Sequence, residues 1–436
     1  MLGLSTDHST TRELWRAAIG SLLVLLFPVA RSGALQAPIA LAAGASAIGL
    51  LTRSTNIPAG RTLTEAYLTQ PMLTADVRAA WLHALGTLNL EGLTLRRGEL
   101  ELGEWGEGYV DRRHPHSYIH EFMAGAEVKR KLAAGSLYAG RGFVPFGSDD
   151  PMVRPFVSYP VDHHLAQILE RVVLIGAARV GPITAEAATF NGDEPLDPSA
   201  APRFSRFGDS WALRGTVDGG QLSNLLRGAE LSASYAAVKS PEYRDGRGLD
   251  QKKAHASLRL TGSSGAYSRY ALLELARTTD VDRGRTLYTF DAVLAEAAVC
   301  RGRTGVALRW ERSDRPEEER LLDLFRAPRP ATDVSVLGVT RWTTLTGAIA
   351  LPTLQAGVVG AAPFLEAARL TVDRTSAALF DPALFYGATG MWRLAGGLRL
   401  AAGRSHGRMG RYGTASGSAD VGVSRHDHRS SNRCFS

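Results

Sequence analysis

The chain has only two cysteines in 436 residues, Cys300 and Cys434, with no CxxC pair. A disulfide framework is thereby excluded, and a Cys300–Cys434 bridge is the one pairing left open. No uninterrupted apolar run reaches the roughly 18 residues a membrane-crossing helix needs, so helices do not carry this chain through a bilayer. Regular 10–15-residue helical patterns are also missing, which excludes an α/β barrel and its metal-dependent hydrolase sites. No credible Ser/His/Asp set is present. GRSHG at 403–407 has GxSxG spacing, but it lacks the strand–turn–helix setting and no acid and histidine follow in order. No catalytic residue is assigned, and the expectation is that the protein is not an enzyme. The net charge of +7 is not gathered into a basic, aromatic-laced segment, which sets nucleic acid aside.

Near the N-terminus, Arg12 and Arg16 precede the apolar stretch 17–30, and Ser32-Gly33-Ala34 supplies small residues after it. This pattern predicts a secretory signal peptide over 1–34, with a buried core helix as the alternative. Residues 35–76 are rich in Ala and Gly and carry Pro58 and Pro71. They read as a periplasmic lead-in, with a strand within 61–70 possible.

From residue 77 the dominant period is two. Lys253, His255, Ser257, Arg259 and Thr261 alternate with Ala254, Ala256, Leu258 and Leu260, and the same holds at 210–218 and 229–238. Successive side chains of a strand point to opposite faces, so such alternation marks half-buried strands. The pattern predicts fourteen of them: 77–91, 116–130, 132–142, 165–178, 183–191, 207–218, 227–239, 251–261, 266–278, 286–299, 303–313, 333–349, 358–373 and 390–403. Strands in 61–70 and 374–389 would make sixteen. Most exceed the five or six residues usual in soluble sheets and match what a tilted strand needs to cross a bilayer. Short connections (131, 179–182, 219–226, 262–265, 300–302, 350–357) alternate with long ones (92–115, 143–164, 192–206, 240–250, 279–285, 314–332, 374–389). The expectation is an all-β, closed, antiparallel up-and-down transmembrane β-barrel over 77–412, with periplasmic turns and external loops. Backbone groups in lipid must all be bonded internally, so such a sheet has to close. The polar, basic stretch 413–436 has no period and reads as a disordered tail.

Five stretches add a resemblance: HPHSYIHE (114–121), FVPFGSDDPMVRP (143–155), DHHLAQILER (162–171), TFNGDEP (189–195) and DSWALR (209–214). In this order, and over about 60–412, the chain resembles a family of porin-like bacterial outer-membrane β-barrel proteins. The resemblance implies barrel and location, and its motifs carry no assigned chemistry.

Within that frame, the polar members of the alternating strands are lumen and selectivity candidates: Arg214, Glu230, Arg259, Glu274, Arg309, Glu311, Arg369 and Arg399. The loop 142–164 holds four prolines, which stiffen it and keep it from adding to a sheet edge. Its Asp149, Asp150 and Arg154 are constriction candidates, an external cap being the alternative. His114, His116, His120, His163 and His164 fall on the external rim. Imidazoles there suit Zn or Cu, so a divalent metal at the rim is one reading and a hydrogen-bonded rim the other. The function expected is passive passage of small polar solutes, with a Cu- or Zn-binding barrel as the alternative and no other cofactor. Expected partners are outer-membrane lipid, lipopolysaccharide and the barrel-assembly machinery.

Overall fold

The computed structural model describes residues 39–57, 61–94, 116–131, 133–161, 163–195, 198–318, 336–377, 381–403 and 408–416. The predicted signal peptide at 1–34, His114, most of GRSHG and Cys434 lie outside the described residues.

Strand follows strand along the chain: β1 (Ala40–Ile57), β2 (Arg61–Ala79), β3 (Leu82–Asn89), β4 (Ile119–Lys129), β5 (Ala133–Gly142), β6 (Arg171–Val180), β7 (Ile183–Phe190), β8 (Ser210–Asp218) and β9 (Ala229–Val238). The series continues with β10 (Asp250–Ser264), β11 (Tyr267–Asp282), β12 (Arg285–Arg301), β13 (Thr304–Glu318), β14 (Val336–Ala350), β15 (Leu354–Ala356), β16 (Val359–Ala377) and β17 (Gly390–Gly403). Each pairs antiparallel with its neighbour in sequence, except that three-residue β15 lies on the turn before β16 while β14 pairs with β16 directly. The last strand returns to the first, Gly44 opposite Gly403 and Ser54 opposite Arg393. The result is a closed cylinder of 16 strands with no free edge.

Sixteen strands circle the barrel, the alternative count rather than the fourteen, and the two beyond the fourteen are β1 and β2, the latter covering the strand allowed within 61–70. The lead-in reading of 35–76 is therefore corrected from residue 40 onward. β1 hides its period because both of its faces carry small or apolar residues. Leu41, Ala43, Ala45 and Leu51 face out, while Ile48 and Leu50 are buried inside. β2 passes Pro71 beside Gln70, whose φ of 49° marks an irregularity in its pairing. The predicted strand at 77–91 merges the end of β2 with β3, and 374–389 holds the end of β16 and a helical turn, Pro382–Tyr386, rather than a further strand. The strand expected from 165 starts at Arg171, after a helical turn at His163–Ala166. The loop expected at 279–285 is a tight hairpin turn in which Arg283 and Gly284 both have positive φ (47° and 87°).

Most short turns (80–81, 181–182, 265–266 and 302–303) share one end with Ala40 and Gly403, and the long connections 143–170 and 239–249 share the other; the ten-residue connection 219–228 at the short-turn end and the two-residue turn 283–284 at the long-loop end are exceptions. Outward side chains form a belt. On β11 only Ala271, Leu273 and Leu275 lie between Arg269 and Arg277; on β12 only Val293, Ala295, Ala297 and Val299 lie between Asp291 and Arg301. Eight residues of strand span about 27 Å, which a 40° tilt reduces to about 20 Å of uncharged height, close to the lipid-facing band of a membrane barrel. At the long-loop end Phe122, Trp211, Tyr235 and Trp392 face out, and at the other Trp81 and Tyr267. The barrel is transmembrane in construction: closed, and girdled by an uncharged outer belt.

Candidate functional site in the barrel lumen

Two of the described segments lie inside the cylinder. The first is the connection 143–170, which enters from the long-loop end. Its root is apolar: Phe143, Val144, Phe146 and Ile168 pack with Met123, Tyr138, Val173, Ile175, Phe190, Ala212, Ala236 and Val238 on β4–β9. Gly147 is needed where the loop turns inward, because its φ is 78° and a Cβ would fall 1.7 Å from the Ala166 carbonyl oxygen.

From there the loop crosses to the far wall, and carboxylates and guanidiniums receive it. Ser148 Oγ donates to Glu274. Arg154 donates to Glu274 Oε2 at 3.2 Å and lies 3.8 Å from Glu296 Oε1. The backbone N–H groups of Val157 and Ser158 donate to Glu366 at 2.9 and 3.2 Å, and that of Val161 to Glu311 at 2.7 Å. Arg309 donates to the Ser158 carbonyl at 2.9 Å and covers the Phe156 ring, and Arg399 donates to the Pro155 carbonyl at 2.6 Å.

The second segment, 408–416, follows β17 and occupies the lumen beside β4–β9. Residues 413–416 form a buried 3-10 turn, which corrects the expectation of a disordered tail for those positions; 417–436 lie outside the described residues. Gly413 (φ 54°) has no space for a side chain, since a Cβ would fall 2.5 Å from the Tyr138 ring. Tyr412 donates to Glu121 at 2.7 Å and accepts from the Phe143 N–H at 2.9 Å. Arg408 joins the two segments. It donates to Asp149 at 2.9 Å and to Glu230 at 2.7 Å, while Arg411 lies 3.5 Å from Asp149 and donates to Thr216 at 3.1 Å. Burial alone would raise the Asp149 pKa, but the guanidiniums of Arg408, Arg259 and Arg411 outweigh it and hold the carboxyl well below the usual carboxylate range.

The two inner segments therefore meet the wall at most of the residues singled out from sequence. Arg214 makes a paired bond to Glu186 (2.6 and 2.7 Å), Glu230 holds Arg408, and Arg259 lies 3.6 Å from Asp149. Glu274, Arg309, Glu311 and Arg399 hold the loop. Arg369 does not belong with them. It opposes outward-facing Leu345 and Trp392, and its guanidinium lies over the Trp392 ring. The strand's inward positions are the even ones, Phe364, Glu366 and Ala368, so an odd-numbered arginine faces outward. Among the constriction candidates, Asp149 and Arg154 face the wall, but Asp150 accepts from the Met152 N–H at 2.7 Å and serves as a local helix cap.

Of the rim histidines, His116 and His120 each lie against a carboxylate. His116 lies 3.1 Å from Glu91, and His120 lies 2.7 Å from Glu170, which also accepts from Ser117 N–H and Oγ. Tyr159 stands between His116 and His163, with ring centroids at 5.9 and 5.2 Å, and His164 lies against His163 at 4.0 Å. Among the described residues no three His, Cys, Asp or Glu side chains converge as metal ligands would. Burial raises the Glu170 pKa, yet the His120 bond, with His116 and Arg141 nearby, brings it below its ordinary value.

Sequence reasoning missed Glu91, Glu170, Glu296, Glu366, Arg408, Arg411 and Tyr412. Glu296 and Glu366 each occupy the polar phase of an alternating strand, a signal that was present. The 408–412 residues carry none, since that stretch has no period.

No family profile matches the sequence, and no curated protein matches it. Several solved structures are similar in chain trace. An anion-selective porin from Comamonas acidovorans is 10% identical, with 84% of this chain and 100% of that chain covered and a TM-score of 0.45. OmpT, an outer-membrane protein of Vibrio cholerae, is 8% identical over 84% and 99%, TM-score 0.45. OpdK of Pseudomonas aeruginosa, solved with vanillate, is 10% identical over 84% and 98%, TM-score 0.38. At these scores the likenesses carry nothing about function, and the fold rests on the strand pairing itself.

Proposed function

We propose that this chain is a porin-like barrel of the bacterial outer membrane that passes small polar solutes, with the connection 143–170 setting its aperture. One observation carries the reading. On β11–β16 the loop is held by carboxylates and guanidiniums, a lining suited to water and solutes, rather than by a continuous apolar core. Several inward polar atoms there have no hydrogen-bond partner: Glu274 Oε1, Glu296 Oε2, Thr344 Oγ1 and Thr346 Oγ1. Buried groups of this kind are satisfied by water in working proteins. Sixteen strands also enclose more than side chains alone can fill.

The uncharged outer belt supports lipid contact, and the placement of both ends of the barrel wall at the short-turn end supports a periplasmic origin for the chain. In this reading selectivity comes from the inward Arg and Glu residues by size and charge, the surrounding lipid and lipopolysaccharide meet the outer girdle, and no chemical step is performed.

The experiment is planar-bilayer recording of the wild type beside a variant in which 149–160 is replaced by a short Gly-Ser linker. The shortened loop is expected to raise single-channel conductance several-fold. Absence of current from both proteins, each shown by heat-modifiable mobility to be a folded barrel, would overturn the proposal.

A further inference from the structure

We propose that Glu274 and Glu296 form a recognition site for a solute bearing a guanidinium or amine group, and that Arg154 occupies it as an internal guest. The inference rests on the channel reading above and names the solute class.

Glu274 on β11 opposes Leu294 on β12, and Glu296 lies two residues further along β12. The two carboxylates are thus diagonal neighbours on one face, a spacing of about 7–8 Å between backbones. Both side chains are fully buried. A bare metal ion needs all its oxygen ligands within about 2.6 Å, which diagonal carboxylates do not offer, and among the described residues no three metal ligands converge. A planar guanidinium or a short diamine has donors on opposite sides and reaches both. Arg154 does so here, at 3.2 and 3.8 Å.

The charge balance leaves room for a second cation or a stronger one. Two carboxylates face one permanent cation. The neighbouring Arg309, opposite Glu296 in register, turns instead to the Ser158 carbonyl, Ser158 Oγ and the Phe156 ring, and sits 3.4 Å from Glu311. Arg259 faces Asp149. Tyr270 donates to Glu296 Oε1 at 2.6 Å, and His255 Nε2 lies 3.2 Å from Glu274 Oε2. One oxygen of each carboxylate, Glu274 Oε1 and Glu296 Oε2, has no hydrogen-bond partner, and neither has His255 Nδ1. A buried acceptor without a partner costs about 1–3 kcal/mol, so these oxygens favour an incoming donor. Arg154 sits on the loop, not on the wall, so loop displacement vacates the site and leaves both carboxylates to the solute.

The test uses methylguanidinium as the probe in planar-bilayer recordings of Arg154→Ala. Millimolar methylguanidinium is expected to block Arg154→Ala at least tenfold more tightly than the wild type. The block is expected to disappear in Arg154→Ala/Glu274→Gln/Glu296→Gln, and tetramethylammonium, which donates no hydrogen bond, is expected to have no effect. Block of equal strength in Arg154→Ala and the triple variant overturns the site. If no variant passes current, including the shortened-loop barrel, the channel reading fails, and calorimetry then decides the site separately. Detergent-solubilised, heat-modifiable Arg154→Ala should bind methylguanidinium at least tenfold more tightly than the triple variant, and equal binding sinks the assignment.

Discussion

The two halves of the inner wall hold the same loop by different means. On β4–β9 its root belongs to the largest apolar cluster among the described residues, sixteen buried residues that also include Met409 and Tyr412 of the second inner segment. On the rest of the wall the loop makes three small, separate apolar contacts, Val157 with Ile48, Leu50 and Phe364, Leu165 with Phe290 and Val339, and Phe156 with Ala298, Ala307 and Ala348, and polar bonds hold it between them. Apolar packing is non-directional and strengthens with area, so the first half fixes the loop's position. Polar bonds exchange with water at small net change in free energy, so the second half can release it. A wall built this way has one anchored side and one releasable side.

The largest test of that contrast lies in the packed half. Phe190→Ala should cost about 3–5 kcal/mol, the usual loss for emptying a tight aromatic site, read as a shift in the urea midpoint of the barrel in lipid vesicles. A loss under 1 kcal/mol would mean that the cluster does not anchor the loop.

Acid should act on the junction of the two segments. The Asp149 carboxyl is held below its unfolded value of about 3.9. Its contribution is therefore complete above about pH 4 and is lost only as pH falls through the lower folded value. Conductance should be flat from pH 7 to 5 and rise only in stronger acid. A step between pH 7 and 5 that Asp149→Asn abolishes would contradict this assignment.

In the polar half the expected effects are smaller and of opposite sign. Thr346 carries a buried hydroxyl with no hydrogen-bond partner, so Thr346→Val should be neutral or stabilise by up to about 1 kcal/mol. A clear destabilisation would show that the hydroxyl has a fixed water or solute partner. Smallest of all is Arg369→Ala, on the outer face over Trp392. Its loss should change stability by no more than about 1 kcal/mol and leave conductance and ion selectivity untouched; altered selectivity would return Arg369 to the lumen.

Much of the barrel was legible because lipid outside and polar groups inside impose a strict alternation. Where both faces are apolar, as at Ile48 and Leu50 against Leu41 and Leu51, the alternation vanishes, and β1 was read as a lead-in. Facing could be read for Glu274 or Arg309 but failed for Arg369, since one arginine in an Ala- and Leu-rich strand does not set its own phase. The proline-stiffened loop was recognisable as something folded inward. Its docking partners were not, because Glu296 and Glu366 are separated from it by well over a hundred residues, and the sequence around Arg408 has no periodic signal.

The second inner segment leaves the wall after Gly403, whose positive φ of 72° turns the chain at the seam where β17 meets β1. Its arginines end up inside a cylinder that this same seam completes. The lumen is thus occupied by the continuation of the very strand at whose end the wall closes on itself.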